Sequence, residues 1–145
     1  MQIITRQVKD KPLTVTIEYP EYDDAVNGLI RKIRSMDAGF NAVMDGRQVK
    51  IGLPEVYYIE NVERKIFIYT SKDVYRLDSS MSDLENMMPD TGLVRISRTC
   101  IMNTDHLKEI RQIKNSRLEA VLDNEEMLIV SRKYLKYIKR VFQKG

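Results

Sequence analysis

The sequence predicts a single, mostly β domain of the α+β class, built from short antiparallel strands. From residue 40 onward, most of the chain consists of short runs in which apolar and polar residues alternate, and this is the period of a strand with one buried face. Turn signals separate these runs, the strongest being Asp45-Gly46. Helical periodicity is confined to three stretches, one near each end and one in the middle. A length of 145 residues suits one domain with a well-buried core.

Residues 1–45 predict a strand and a helix, which form an N-terminal extension packed on the sheet. Apolar and polar residues alternate over 13–19, and Pro20 ends this strand. Over 22–36 the apolar residues recur at helical spacing, and two aspartates lie favourably in the first turn. This amphipathic helix either covers the sheet or is a docking face for a second copy or another protein. About 45 residues are too few for a phospho-acceptor receiver domain.

The remaining strands and helices follow from alternation and capping signals. The predicted strands cover residues 41–44, 48–51, 56–60, 65–70, 73–77, 107–113, 118–122 and 127–130. A short middle helix is predicted from Ser79 or Ser80 through Met88, since serine is a favoured N-cap. Ser131 is likewise predicted to cap a C-terminal helix, whose recurring apolar residues are Tyr134, Leu135, Ile138, Val141 and Phe142.

The stretch 93–103 combines a strand with a group of polar side chains. Apolar and polar residues alternate over 94–97, and the alternation breaks at Arg98. The apolar residues 100–102 are predicted to form about one helical turn, capped by Thr99. Arg98 is therefore expected at a strand end, where its planar guanidinium is able to meet a phosphate or a guanine edge.

The charge of the chain is unevenly distributed. Its net charge is only +3, but residues 1–90 hold 12 Lys and Arg against 15 Asp and Glu, whereas residues 91–145 hold 12 against 6. The basic surplus therefore lies in the part of the chain that contains Arg98. Either this surplus is an ordinary solvated surface, or it is the footprint of a polyanionic partner such as nucleic acid.

The sequence offers little for catalysis. His106 is the single histidine, so no histidine-based metal site is expected, and no glycine-rich phosphate loop occurs. Cys100 lies in an apolar run, which favours a buried thiol over a nucleophile or a redox sensor. We expect no enzyme activity and no cofactor. Since no apolar run approaches the ~18 residues of a membrane span and no signal segment follows Met1, we expect a cytoplasmic protein without membrane insertion.

Two spaced motifs resemble those of LytTR-type DNA-binding domains. The run 94–103, Val-Arg-Ile-Ser-Arg-Thr-Cys-Ile-Met-Asn, is similar to the family signature, in which Val, Arg, a β-branched residue, His and Arg precede a hydroxyl residue and a short apolar run ending in Asn. The run 128–135, Leu-Ile-Val-Ser-Arg-Lys-Tyr-Leu, is similar to the family's Val-Ser-Arg-(Arg/Lys)-Tyr segment at the start of its last helix. The resemblance covers roughly residues 46–142. Ser97 departs from it, because His is common at that position.

The resemblance implies an elongated β fold that lays loops into successive major grooves of double-stranded DNA. It implies a stand-alone transcriptional regulator without a receiver domain, whose DNA-binding domain covers 46–145 and which binds repeated half-sites as a homodimer. Three contact regions are implied: a hairpin tip, a strand end and the start of the last helix. The candidate DNA-binding residues are Arg64, Lys65, Ser97, Arg98, Asn103, Arg132, Lys133 and Lys136. The arginines suit base edges, whereas the lysines suit phosphates.

A protein–protein interaction module without DNA binding is the second function that the sequence leaves open. Such a module would use the helix over 22–36 and the exposed edges of the sheet. Arg64 and Lys65 would then be ordinary solvated charges at a hairpin tip. An unidentified regulatory protein is a candidate partner of the chain. A salt-dependent gel shift with duplex DNA separates the two functions.

Overall fold

The computed structural model describes residues 1–89, 91–114, 117–136 and 138. Two antiparallel sheets form the domain, one of seven strands and one of three. The strands are β1 (Gly39–Met44), β2 (Arg47–Gly52), β3 (Tyr58–Val62), β4 (Lys65–Tyr69), β5 (Val74–Leu77), β6 (Leu93–Arg95), β7 (Cys100–Asn103), β8 (Leu107–Ile113), β9 (Arg117–Leu122) and β10 (Met127–Val130). The described α-helices are α1 (Asp24–Ser35) and α2 (Met81–Met87). The mostly β, antiparallel class predicted from the sequence is confirmed.

The strand order of the large sheet is β2-β1-β5-β4-β3-β7-β6, and that of the small sheet is β10-β9-β8. Asp45 and Gly46 form the two-residue turn between β1 and β2, with φ angles of 52° and 76°. Two positive φ angles are what a type I′ turn requires, so the predicted hairpin is confirmed. The helix predictions are also close, since the side chains of Asp23 and Ser80 cap α1 and α2.

Two hydrophobic cores hold the sheets together. The first lies between the large sheet and α2 and contains Phe40, Ala42, Ile51, Leu53, Val56, Ile59, Ile66, Ile68, Leu77, Leu84, Leu93 and Ile101. The second lies between the two sheets and contains Tyr58, Ile96, Cys100, Met102, Ala120, Leu122, Val130 and Ile138. Strand β7 contributes to both cores, because successive side chains of a strand point to opposite faces.

The position of β7 corrects the helical turn predicted over residues 100–102. β7 pairs with both β3 and β6, and each of its four residues is buried. A continuous apolar run fits a strand covered on both faces as well as it fits a buried helical turn, so its periodicity alone does not separate the two. The two cores decide between them here, because each supplies a face for alternate side chains.

The N-terminal segment also differs from its prediction. No strand forms over residues 13–19, and most of its side chains are exposed. Strand β1, by contrast, pairs along its whole length with β2. A boundary between residues 45 and 46 therefore divides a hairpin, and residues 39–45 belong with the sheet.

The chain after β10 enters a 3₁₀ turn over Arg132–Tyr134. Ser131 occupies the predicted N-cap position, but its side chain makes no capping hydrogen bond. Leu135, Lys136 and Ile138 continue in helical conformation. The predicted members Val141 and Phe142 lie outside the described residues. No helix in the described part of the chain has the length and apolar character that a membrane crossing needs.

Hydrogen bonds of the His106 side chain link the two sheets at one end. The Nδ1 atom of His106 lies 3.0 Å from Oδ2 of Asp123, in the β9–β10 turn, and Nε2 lies 2.7 Å from the carbonyl oxygen of Pro54, before β3. The ring stacks on Tyr57 with 3.9 Å between centroids. Desolvation acts to raise the pKa of the Asp123 carboxyl, but hydrogen bonds from His106 and Tyr57 outweigh it, and the pKa is lowered. The His106 side chain thus ties the β9–β10 turn to the segment before β3.

Candidate nucleic-acid interface

A tight loop joins β6 to β7 and carries Arg98. The backbone N–H groups of Ile96 and Ser97 both donate to the carbonyl oxygen of Cys100, at 3.0 and 3.3 Å. The Ser97 hydroxyl is half-buried and accepts from the N–H of Thr99 at 3.3 Å. Arg98 and Thr99 are exposed. The loop therefore has a defined backbone, from which the Arg98 side chain reaches solvent.

The Arg95 side chain links this loop to helix α2 by hydrogen bonds. Its Nε donates to the carbonyl oxygen of Ser97 at 3.1 Å, and its terminal nitrogens donate to the carbonyl oxygen of Arg98 and to the carboxylate of Glu85 on α2. One planar guanidinium thus ties two successive loop carbonyls to a helix. Arg95 is absent from the candidates named from the sequence, where it reads only as the polar residue of an alternating strand. The sequence feature that indicates this role is the position of Arg95, three residues before Arg98.

Two backbone hydrogen bonds bring the three candidate regions together. The N–H of Ser131, which precedes the 3₁₀ turn, donates to the carbonyl oxygen of Ile96 at 2.8 Å. The N–H of Asn61, near the β3–β4 turn, donates to the carbonyl oxygen of Thr99 at 2.8 Å. We call the segments 61–65, 96–100 and 131–136 the basic rim. A cavity of about 340 Å³ opens beside it, lined by residues that include Glu60, Ile96, Ser97, Thr99, Cys100, Met127, Leu128, Ile129 and Ser131.

The β3–β4 turn has an unusual backbone for its sequence. Glu63 and Arg64 have φ angles of 52° and 68° and form a two-residue turn between the paired residues Val62 and Lys65. Non-glycine residues rarely adopt positive φ, and asparagine and glycine are preferred for this turn. The left-handed conformation costs roughly 1–2 kcal/mol per residue. Strain of this kind is often retained where the side chains serve a function.

Further cations of the basic rim are exposed. These are Arg64, Lys65, Arg132, Lys133 and Lys136. The Nζ atom of Lys133 lies 5.6 Å from the centroid of the Tyr134 ring. The structure thus brings seven of the eight candidates, including Ser97 and Arg98, onto the three segments of the basic rim.

Asn103 is the exception, and its role is corrected here. It is 1% exposed, at the end of β7. Its Nδ2 donates to the carbonyl oxygens of Val56 at 2.8 Å and Leu53 at 3.3 Å, while its Oδ1 accepts from the N–H of Asp105 at 3.1 Å. The side chain therefore joins β7 to the turn before β3. A group so enclosed and bonded is unable to reach DNA without unfolding its surroundings.

Cys100 faces the interior, as expected. Burial, with a smaller contribution from the Glu60 carboxylate, raises the pKa of the Cys100 thiol to about 12. The thiol is therefore protonated at neutral pH, and a protonated thiol is a poor nucleophile. Among the described residues, no group of three or more His, Cys, Asp or Glu is arranged to hold a metal ion.

A model of a known family matches the part of the chain that contains the basic rim. The sequence model of the LytTr DNA-binding domain matches residues 46–143. The chain belongs to the LytTR family. The match covers more than half of the chain and includes the whole basic rim.

Relatives of known sequence share this domain. The sensory transduction protein LytT of Enterococcus faecalis is 28% identical over 85 residues, which are 59% of this chain and 35% of that protein. The chain thus spans about a third of the length of that LytT protein. An uncharacterised HTH-type transcriptional regulator of Staphylococcus aureus is 23% identical over 133 residues, which are 90% of each chain. This second similarity extends into the N-terminal segment.

A solved structure supports the LytTR fold. The LytTr DNA-binding domain of a protein from Bacillus cereus superposes with a TM-score of 0.67 at 21% sequence identity. The superposition covers 73% of this chain and 97% of that domain. The LytTR family and fold expected from the two motifs are confirmed. The individual DNA-contact residues stay predictions.

Proposed function

We propose that this LytTR protein is a transcriptional regulator that binds double-stranded DNA sequence-specifically, with the basic rim in successive major grooves. One observation carries the proposal. Three segments that are distant in the sequence lie next to one another in the basic rim, and each of them carries one or more exposed cations. The basic surplus of residues 91–145, with 12 Lys and Arg against 6 Asp and Glu, lies in the same part of the chain. Loops held by a stiff sheet suit contacts of this kind.

The residues of the basic rim have different expected roles. Arg98 and Arg132 are proposed to read base edges, because a guanidinium binds the O6 and N7 atoms of guanine with two hydrogen bonds. Arg64, Lys65, Lys133 and Lys136 are proposed to bind phosphates. Ser97 adds at most a hydroxyl contact in place of the common histidine, and this hydroxyl already accepts one internal hydrogen bond.

The proposed working form is a homodimer on repeated half-sites in the cytoplasm, where a bacterial chromosome lies. Two-fold symmetric dimers are the commonest oligomers, and they match paired half-sites. A regulatory protein that controls the regulator remains a proposed partner. No cofactor and no catalytic activity are proposed.

The dependence of DNA binding on salt tests the proposed function. Neutralising roughly 4 to 6 phosphates releases condensed counterions, so a plot of log K against log salt concentration is expected to fall with a slope of about −4 to −5. The measurement is fluorescence anisotropy with a duplex selected from a random pool. A scrambled duplex is the control and should bind more weakly. A flat salt response, or equal affinity for both duplexes, contradicts the proposal.

Replacing Glu63-Arg64 by Asn-Gly tests the strained turn. The double variant is expected to raise the free energy of unfolding by about 1–2 kcal/mol, because the favoured residues adopt positive φ more easily. It is also expected to weaken DNA binding, because Arg64 is removed. Denaturant unfolding and anisotropy measure the two effects.

The single change Glu63→Asn is the matched control for this double variant. It relieves part of the strain while leaving Arg64 in place, so the affinity for DNA should not fall. A double variant that is more stable but binds DNA as tightly as the original would remove Arg64 from the proposed contacts.

A further inference from the structure

Exposed apolar side chains are concentrated at the N-terminal end of the chain. Of fourteen large apolar side chains that are exposed among the described residues, nine lie in residues 1–36: Met1, Ile3, Ile4, Val8, Leu13, Val15, Tyr19, Tyr22 and Met36. Neither hydrophobic core contains a described residue before Ala38. Concentrated apolar exposure is typical of an interaction surface.

Helix α1 contacts the domain through its polar side. Ser35 is buried, and the guanidinium of Arg31 donates to the carbonyl oxygen of Thr91 at 2.5 Å. These two residues lie on one side of the helix at about 100° per residue. The opposite side carries an apolar stripe that is only half-buried, formed by Val26, Leu29, Ile30 and Ile33. The stripe therefore lies outside the two cores, and a partner is able to cover the part of it that stays exposed.

The charges of α1 indicate that a second copy is this partner. At its beginning Asp23 lies beside the stripe, and in its second half Arg34 does, whereas Asp24 and Arg31 lie on the side that faces the domain. In an antiparallel pair of identical helices, each acidic end meets the basic end of the other, and the helix dipoles are also opposed. A parallel pair would place like charges together. A two-fold axis between Leu29 and Ile30 gives this pairing.

The helix alone is too small for a stable interface. Twelve residues make a helix about 18 Å long, whereas a standard interface buries about 800 Å² on each partner. The segment 13–19 supplies further apolar area, since Leu13, Val15 and Tyr19 are exposed. Its strand-like alternation is unpaired in the single chain. Pairing with the same segment of a second copy would satisfy its backbone groups.

We propose that residues 13–36 form the self-association surface of the protein, with α1 packed antiparallel against α1 of a second copy. Self-association does not depend on DNA, whereas its use on repeated half-sites rests on the proposed function. Of the two roles that the sequence leaves open for this helix, the proposal takes docking of a second copy.

Analytical ultracentrifugation of the full chain tests the surface. The wild-type protein is expected to sediment as a dimer, and Met36→Glu and Ile33→Glu as monomers at the same concentration. Met36 is 70% exposed, so its change does not threaten the fold. Val74→Glu, at another exposed apolar position, on β5, is the control and should remain a dimer. A monomeric wild-type protein, or dimeric Met36→Glu and Ile33→Glu variants with unchanged association, overturns the proposal.

Cysteine cross-linking tests the antiparallel arrangement. In a pair centred between Leu29 and Ile30, Val26 of one copy faces Ile33 of the other. Oxidising a mixture of Val26→Cys and Ile33→Cys proteins should therefore give the mixed disulfide, identified by mass, in excess over either symmetric product. Cys100 is buried and does not compete. A predominance of symmetric products overturns the arrangement.

DNA binding separates failure of this surface from failure of the proposed function. The monomeric variants should bind a single half-site with the affinity of a wild-type subunit and lose only the cooperative binding of two half-sites. Loss of single-site binding in both variants, with their fold intact, would contradict a surface used only for association. A wild-type protein that dimerises but does not bind DNA would instead contradict the proposed function, and the proposed self-association surface would be unaffected.

Discussion

Replacing Arg98 by alanine is expected to weaken binding to the preferred duplex by about 1 to 3 kcal/mol, which is roughly 5- to 150-fold. The loop that carries Arg98 is fixed by bonds to the carbonyl oxygen of Cys100 and by the guanidinium of Arg95. The backbone that carries Arg98 is therefore ordered before DNA binds, which avoids the cost of ordering a loop. An exposed guanidinium on a fixed backbone, next to the other basic segments, is the arrangement that guanine recognition requires.

The identity of the substituting residue separates base reading from phosphate binding. Arg98→Lys keeps the positive charge but loses the two parallel donors, so it should relax the preference at particular base positions nearly as much as Arg98→Ala. Lys133→Ala should weaken all duplexes about equally and lower the salt slope by about one. Arg132→Ala should relax the preference at a different set of positions.

Selection from random duplexes, followed by anisotropy with each variant, measures these effects. Arg111 is the matched control, because it is an exposed arginine paired with Glu109 on the small sheet, away from the basic rim. Arg111→Ala should leave the preferred sequence unchanged. Unaltered base preferences in folded Arg98→Ala and Arg132→Ala proteins would place the reading surface elsewhere.

The strands and turns with strong local signals could be predicted from the sequence. Asp45-Gly46 and the alternation on both sides of it specify the first hairpin, since both the turn and the strands favour the same structure. Ser80 marks the start of α2 because a serine hydroxyl caps a helix well, whereas Asp23, expected in the first turn, is the N-cap of α1. The basic rim was predicted as three separate breaks, and its assembly depends on the pairing of β7 with β3.

The features that were missed depend on tertiary contacts. The run at residues 100–102 becomes a strand because two cores cover its faces, whereas residues 13–19 pair with none of the described strands. Asn103 resembles a contact residue in the motif, whereas its burial follows from the carbonyl groups that surround it. Arg95 acquires its role only when the loop folds over it. None of these environments is encoded in local periodicity.

Replacing Asn103 by alanine is expected to lower the free energy of unfolding by about 3 kcal/mol. The change removes the donor to the carbonyl oxygens of Val56 and Leu53 and the acceptor of the Asp105 N–H, all of which lie around the end of β7. A buried polar group that loses its partner costs about 1–3 kcal/mol, and the cavity adds to this cost. The loss corresponds to a fall in melting temperature of about 10 °C, measured by calorimetry.

Asn124 offers a matched control for Asn103. Each asparagine accepts a hydrogen bond through Oδ1 from the backbone N–H two residues later, at 3.1 Å in both cases. Asn124 is exposed, whereas Asn103 also donates from a buried Nδ2. The difference between the two alanine variants therefore isolates the buried hydrogen bonds and the cavity. Equal losses of stability would contradict the structural role of Asn103. An Asn103→Ala protein that stayed stable but no longer bound DNA would indicate that Asn103 contacts DNA after all.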